Sequence, residues 1–101
     1  MKRTLKLSRR ASLKLVKLLD YLESEWSIKV QNDFVLKFDK KLEHLAEFPE
    51  SHPKSDIIKG LFRFVVTKQT TVYYKYDKKS VIIVTLFDTR QNHKKLKKDT
   101  K

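Results

Sequence analysis

Residues 57–87 read IIKGLFRFVVTKQTTVYYKYDKKSVIIVTLF, and their alternation decides the fold. Between 57 and 66, Phe62, Phe64 and Val66 fall on one face of an extended chain and Leu61, Arg63 and Val65 on the other. Thr67-Lys68-Gln69-Thr70 is a turn without glycine. Residues 71–76 set Val72, Tyr74 and Tyr76 on one face, and Asp77-Lys78-Lys79-Ser80 turns the chain again. From Val81 to Phe87 every residue but Thr85 is apolar, the signature of a strand covered on both faces or central in its sheet. Three consecutive strands joined by short turns form an antiparallel meander.

Upstream, the period changes. Ala11, Leu15, Leu18, Leu22 and Trp26 recur every three to four residues and define one face of a helix over residues 9–25, widened by Leu13, Val16 and Leu19. Val30, Phe34, Phe38, Leu42 and Leu45 define a second helix over 28–47. Ser8 and Ser27 stand where N-caps belong. The near absence of a linker makes the pair an antiparallel helical hairpin. Pro49 and Pro53 close the second helix. Arg3-Thr4-Leu5-Lys6-Leu7 alternates and reads as a first short strand. The expected fold is therefore α+β, in the order β-α-α-β-β-β, with the hairpin packed on a small antiparallel sheet. It forms a single domain over residues 1–92, followed by a basic C-terminal tail over 93–101.

The chain has 101 residues, a single-domain length. Its 40% hydrophobic content is too high for a disordered chain. Cysteine is absent and Gly60 is the only glycine. This excludes disulfides, thiol nucleophiles, cysteine-ligated metals and glycine-rich phosphate loops. His44, His52 and His93 lack metal-ligand spacing, so neither a metal nor another cofactor is expected. No apolar run is long enough to span a membrane, and the basic start, Met1-Lys2-Arg3-Thr4, lacks a signal peptide's apolar stretch. The expected location is the cytoplasm.

Charge is the strongest functional signal. The formal net charge is +12. Residues 1–50 hold 11 basic and 8 acidic side chains, a net of +3, and residues 51–101 hold 13 and 4, a net of +9. Such an imbalance points to a polyanionic partner, nucleic acid or an acidic protein; the alternative is a solubilised surface with a basic tail. Lys59, Arg63, Lys68, Lys75 and Arg90 lie on or beside the strands, Lys94 and Lys95 just beyond. Cations hold phosphate and tyrosines stack on bases or pack cores. Tyr74 and Tyr76 share the face expected to meet the helices, so Tyr73 is the surface candidate. Arg90 follows a rigid strand end, where a guanidinium suits phosphate or carboxylate recognition; the competing reading is a structural ion pair with Asp88.

Several pieces together resemble the RelE/ParE superfamily of bacterial toxins from type II toxin–antitoxin modules, the plasmid-stabilisation systems. They are Leu7-Ser8 with Ala11 and Leu15, Tyr21-Leu22, Leu42 to Leu45 with Phe48-Pro49, and Lys59-Gly60-Leu61-Phe62-Arg63. Val72-Tyr73-Tyr74 and Val81 to Phe87 with Asp88-Thr89-Arg90-Gln91-Asn92 complete the set. The resemblance implies the fold read above and a cytoplasmic poison neutralised by an acidic antitoxin. It also implies one of two targets. ParE-like toxins poison DNA gyrase without nuclease activity; RelE-like toxins cut messenger RNA on the ribosome. The RelE site uses basic groups on the sheet, an arginine before the third-strand tyrosine, an arginine after strand four, and often a C-terminal aromatic or histidine. Arg90 matches the arginine after strand four and Lys59 a sheet lysine. Thr70 or Thr71 occupies the third-strand arginine position, no aromatic follows Phe87, and His93 stands where relatives carry proline.

The expected function is thus a gyrase-directed toxin. Arg63, Arg90, Lys59, Lys94 and Lys95 would contact the target, and the antitoxin would lie near Arg63 and Arg90. The alternatives are a ribosome-dependent endoribonuclease, with Arg90, Arg63, Lys59 and Tyr73 as catalytic candidates, and a non-toxic basic nucleic-acid-binding module.

Overall fold

The computed structural model describes residues 2–90. Its elements are β1 (Thr4–Leu7), α1 (Arg9–Glu25), α2 (Ile28–Glu47), β2 (Phe62–Val65), β3 (Thr70–Tyr76) and β4 (Ser80–Asp88), with one 3₁₀ turn at Pro49–Ser51. Both helices occupy the ranges that periodicity predicts, and both start on the expected caps. The Ser8 hydroxyl accepts from the Ala11 N–H and the Ser27 hydroxyl from the Val30 N–H, each at 3.0 Å. The Gln31 side-chain amide donates to the Leu19 carbonyl and ties the two helices together.

The sheet order is β1-β4-β3-β2. Strands β2, β3 and β4 form the antiparallel meander read from the sequence. β1 joins it parallel to β4, Leu5 opposite Val81 and Leu7 opposite Ile83, so the sheet is mixed. An alternating five-residue run carries no sign of which strand it will pair with, or in which direction. β4 is paired on both sides, as its unbroken apolar sequence requires. The helical stripes meet one face of the sheet: Ala11, Leu18, Leu22, Phe34, Phe38, Leu42 and Leu45 close on Phe64, Val72, Tyr74, Val81, Ile83 and Leu86.

Four local expectations are corrected. Residues 57–61 are not strand: the Ser55 hydroxyl accepts from the Ile57 and Ile58 N–H groups, Gly60 takes a φ of +87°, and Ile57 is 82% exposed. Lys59 therefore sits in the loop before β2 and not on the sheet. Trp26 ends α1 instead of extending its buried stripe, and Leu13 and Val16 face outward, because Ala11, Leu15, Leu18 and Leu22 already fill the width that packs on the sheet. Tyr73, the expected surface tyrosine, is only 6% exposed. Its ring packs against Phe87, edge-on at 5.8 Å. A β-bulge stands beside it. Tyr73 pairs with Thr85 but Tyr74 pairs with Ile83, which leaves Val84 as the extra residue. The bulged Val84 carbonyl accepts the Ser8 hydroxyl at 2.6 Å, so one serine both caps α1 and terminates the β1–β4 pairing.

Candidate functional site

Register fixes which side chains share the sheet face turned away from the helical core. Arg63, Tyr73 and Thr85 form one row across β2, β3 and β4; Val65, Thr71 and Phe87 form the next; Lys75 and Lys6 flank Ile82 in a third. The four strands contain a single carboxylate, Asp88, and it is buried on the core side. The charged side chains that the strands present on the outer face are therefore all cations, Arg63, Lys75 and Lys6, each exposed, with the Asp77 carboxylate of the β3–β4 turn near Lys6. α1 adds a fourth cation where it passes the free end of β4. The Lys14 ammonium stands 3.6 Å from the centroid of the Phe87 ring, close enough for a strong cation–π contact. Burial, and then the charge of Arg10, push the Lys14 ammonium below the usual lysine range. Phe87 in turn meets the Tyr73 ring edge-on at 5.8 Å. The Thr85 hydroxyl is buried in this layer and, among the described residues, has no hydrogen-bond partner.

Arg90 belongs to a different corner. The Asp88 carboxylate accepts from the Arg90 backbone N–H at 2.9 Å, from Nε at 3.0 Å and from Nη2 at 2.8 Å. It also accepts from the Thr70 hydroxyl at 2.5 Å. Burial alone would raise the Asp88 carboxyl. The hydrogen bonds from Arg90 and Thr70, together with the Arg90 charge, outweigh burial and hold it below the usual carboxylate range. The ion-pair reading of Arg90 is thus the one the structure supports. The guanidinium also lies 5.8 Å from the Trp26 ring centroid, and the Tyr21 hydroxyl donates to the Arg90 carbonyl at 3.3 Å. What remains of Arg90 lines a groove of about 200 Å³ with Lys37, Asp33, Thr67 and Gln69.

Of the residues singled out from sequence, Arg63 and Tyr73 come together across β2 and β3, Tyr73 as a buried support. Arg90 is set apart by its pairing, Lys59 lies in a loop, and Lys94, Lys95 and His93 fall outside the described residues. Sequence reasoning missed Thr70 and Lys14. Thr70 joins Asp88 only through strand register, and Lys14 reaches the site from the side of a helix. His44 and His52 approach at 6.0 Å between ring centroids. Among the described residues no three potential ligands gather around a metal position, and no helix is long and apolar enough to cross a membrane.

Residues 5–93 match the family described as the ParE toxin of the type II toxin–antitoxin system, parDE. The chain belongs to this family. No curated protein matches it. As a ParE-family toxin it is similar in fold to the chromosomal ParDE TA system from P. aeruginosa, at 13% identity and a TM-score of 0.73 over 86% of this chain and 96% of that one. It is also similar to the E. coli DinJ–YafQ complex, at 19% identity and a TM-score of 0.55 over 89% and 97% of the two chains. The ParE-family fold shared with these structures is two helices on a four-stranded mixed sheet.

Proposed function

We propose that this ParE-family chain poisons DNA gyrase in the cytoplasm, by binding and not by cleaving, and that an acidic antitoxin neutralises it. The carrying observation is the commitment of Arg90 to buried Asp88. A nuclease of this fold would need a cation to stabilise a phosphorane and a group to deprotonate the 2′-hydroxyl. Here the arginine after β4 is neutralised by its partner, and Tyr73 is buried. What remains exposed is Arg63, Lys75 and Lys6, on strands that turn no carboxylate to that face, a surface suited to docking a large anionic assembly such as gyrase with its DNA. In a supercoiling assay with purified gyrase, added protein should block product formation. If supercoiling is untouched while message is cut on translating ribosomes, the gyrase reading fails.

The endoribonuclease is kept as a second reading because a cationic face also suits an RNA backbone. In that case Arg63, the one arginine exposed on the outer face, would carry transition-state stabilisation. Arg63→Ala would then lower message cleavage far more than ribosome binding.

A further inference from the structure

The bend of the helical hairpin, Trp26-Ser27, stands beside the end of β4. The Arg90 carbonyl accepts from the Tyr21 hydroxyl at 3.3 Å, and the Arg90 guanidinium lies 5.8 Å from the centroid of the Trp26 ring. The Trp26 indole N–H donates to the same Tyr21 hydroxyl at 3.5 Å. Chain leaving Arg90 therefore starts on the tip of the hairpin. Two large apolar side chains that the core does not use stand there, Trp26 at 56% and Ile28 at 59% exposure. The tip is also acidic. The last two turns of α1 carry Asp20, Glu23 and Glu25 and no cation, so nothing basic in the last turn offsets the negative end of the helix dipole. Across the tip, Lys29 is paired with Asp33 at 3.6 Å and Arg90 is held by Asp88. The next cation back along α1 is Lys17, one turn before Tyr21.

We infer that the chain's own C-terminal segment, residues 91–101, docks on this tip. Its side chains, five Lys and one Asp with His93 neutral, carry a net +4, opposite in sign to the end of α1. Leu96 is its single apolar residue. It comes six residues after Arg90, and six extended residues span about 20 Å, enough to pass the Trp26 ring and reach Ile28. Leu96 covers Trp26 and Ile28. Lys95, Lys97 and Lys98 meet Glu25, Glu23 and Asp20 and the carbonyl end of α1, where cations are favoured. The contact is independent of which target the toxin has. It holds these lysines at the hairpin tip, away from the outer sheet face, until a stronger polyanion draws them off.

Trp26 is the only tryptophan of the chain, so acrylamide quenching of its fluorescence reads the tip directly in the full-length protein. At low salt we expect wild type to be quenched at least threefold less than Leu96→Ser or a Lys97→Glu, Lys98→Glu double variant, each with a folded circular dichroism spectrum. Raising the salt to about 0.5 M should weaken the wild-type protection, because screening acts on the lysine contacts. Glu25→Lys alone should expose Trp26, and combining it with Lys97→Glu and Lys98→Glu should restore protection, which a purely local effect at position 25 would not do. Failure of that charge swap to protect Trp26 overturns the pairing with Glu25. Equal quenching of wild type and both tail variants overturns the inference as a whole. So does protection that rises with protein concentration, which makes the occupant a second copy, or protection that arises only on adding duplex DNA, which makes it nucleic acid.

Discussion

Replacing Asp88 by Asn leaves the Arg90 guanidinium beside a neutral amide and puts an NH2 donor in place of one of the two oxygens that together accept four hydrogen bonds. Breaking one side of a buried pair of this kind costs about 3–5 kcal/mol. Thr70→Val removes one donor and should cost about 1–2 kcal/mol. Urea denaturation of the two variants should rank them in that order. The pH dependence follows from the same group. The folded carboxyl of Asp88 lies below its unfolded value of about 3.9. Its stabilisation is therefore complete above that value and is lost as the pH falls through the lower folded one. His52 acts earlier. Burial first, then His44 and Lys41, hold its imidazole below the usual histidine range. Between about pH 6.5 and its folded value the unfolded chain binds more protons, and stability declines there as well. Melting temperatures from pH 8 to pH 3 should fall in two steps, the lower one shrinking in Asp88→Asn. A single acid limb that the variant leaves unchanged would argue against this assignment.

At the level of elements, Ser8 carries two roles: its hydroxyl accepts from the Ala11 N–H and donates to the bulged Val84 carbonyl. Ser8→Ala should cost about 2 kcal/mol, more than an ordinary cap of about 1 kcal/mol, because the Val84 carbonyl also loses its donor. Ser27→Ala, whose hydroxyl accepts from Val30 alone, provides the comparison by thermal unfolding; equal losses would leave the bulge contact without a stabilising role. These serines also mark what the sequence could disclose. Both helices were legible because apolar period and cap coincide, and β4 because its apolar run has no polar face. The bulge at Val84 was not, since a one-residue shift appears only when two strands are aligned. The burial of Tyr73 was hidden as well, because alternation gives the face of a residue and not what covers it. The Arg90–Asp88 pair was legible as an alternative because the two residues are neighbours in sequence. Its third member, Thr70, lies 18 residues away from Asp88 and is joined to it by register alone. Lys14 was hidden for a related reason: nothing in α1 says that its side chain will reach over a phenylalanine of the last strand.

For the whole molecule the question is what a net charge of +12 is for. Like charges repel within the folded chain, so a cation that serves no contact is a slight burden on stability. Arg63 and Lys75 are exposed on the outer sheet face and, among the described residues, form no ion pair. Exchanging both for Glu should shift unfolding by no more than about 0.5 kcal/mol per position, with any gain arising from relieved repulsion. If this face meets gyrase and its DNA, the same double variant should lose most of its inhibition of supercoiling. Salt supplies a second axis. Wild-type potency should fall as ionic strength rises from about 0.05 to 0.2 M, because screening weakens an exposed cation–polyanion contact. The variant should be less sensitive to salt, having lost two of the charges on which screening acts. Full inhibition by a well-folded Arg63→Glu, Lys75→Glu protein would remove the outer sheet face from target recognition and shift attention to the groove beside Arg90 and Lys37.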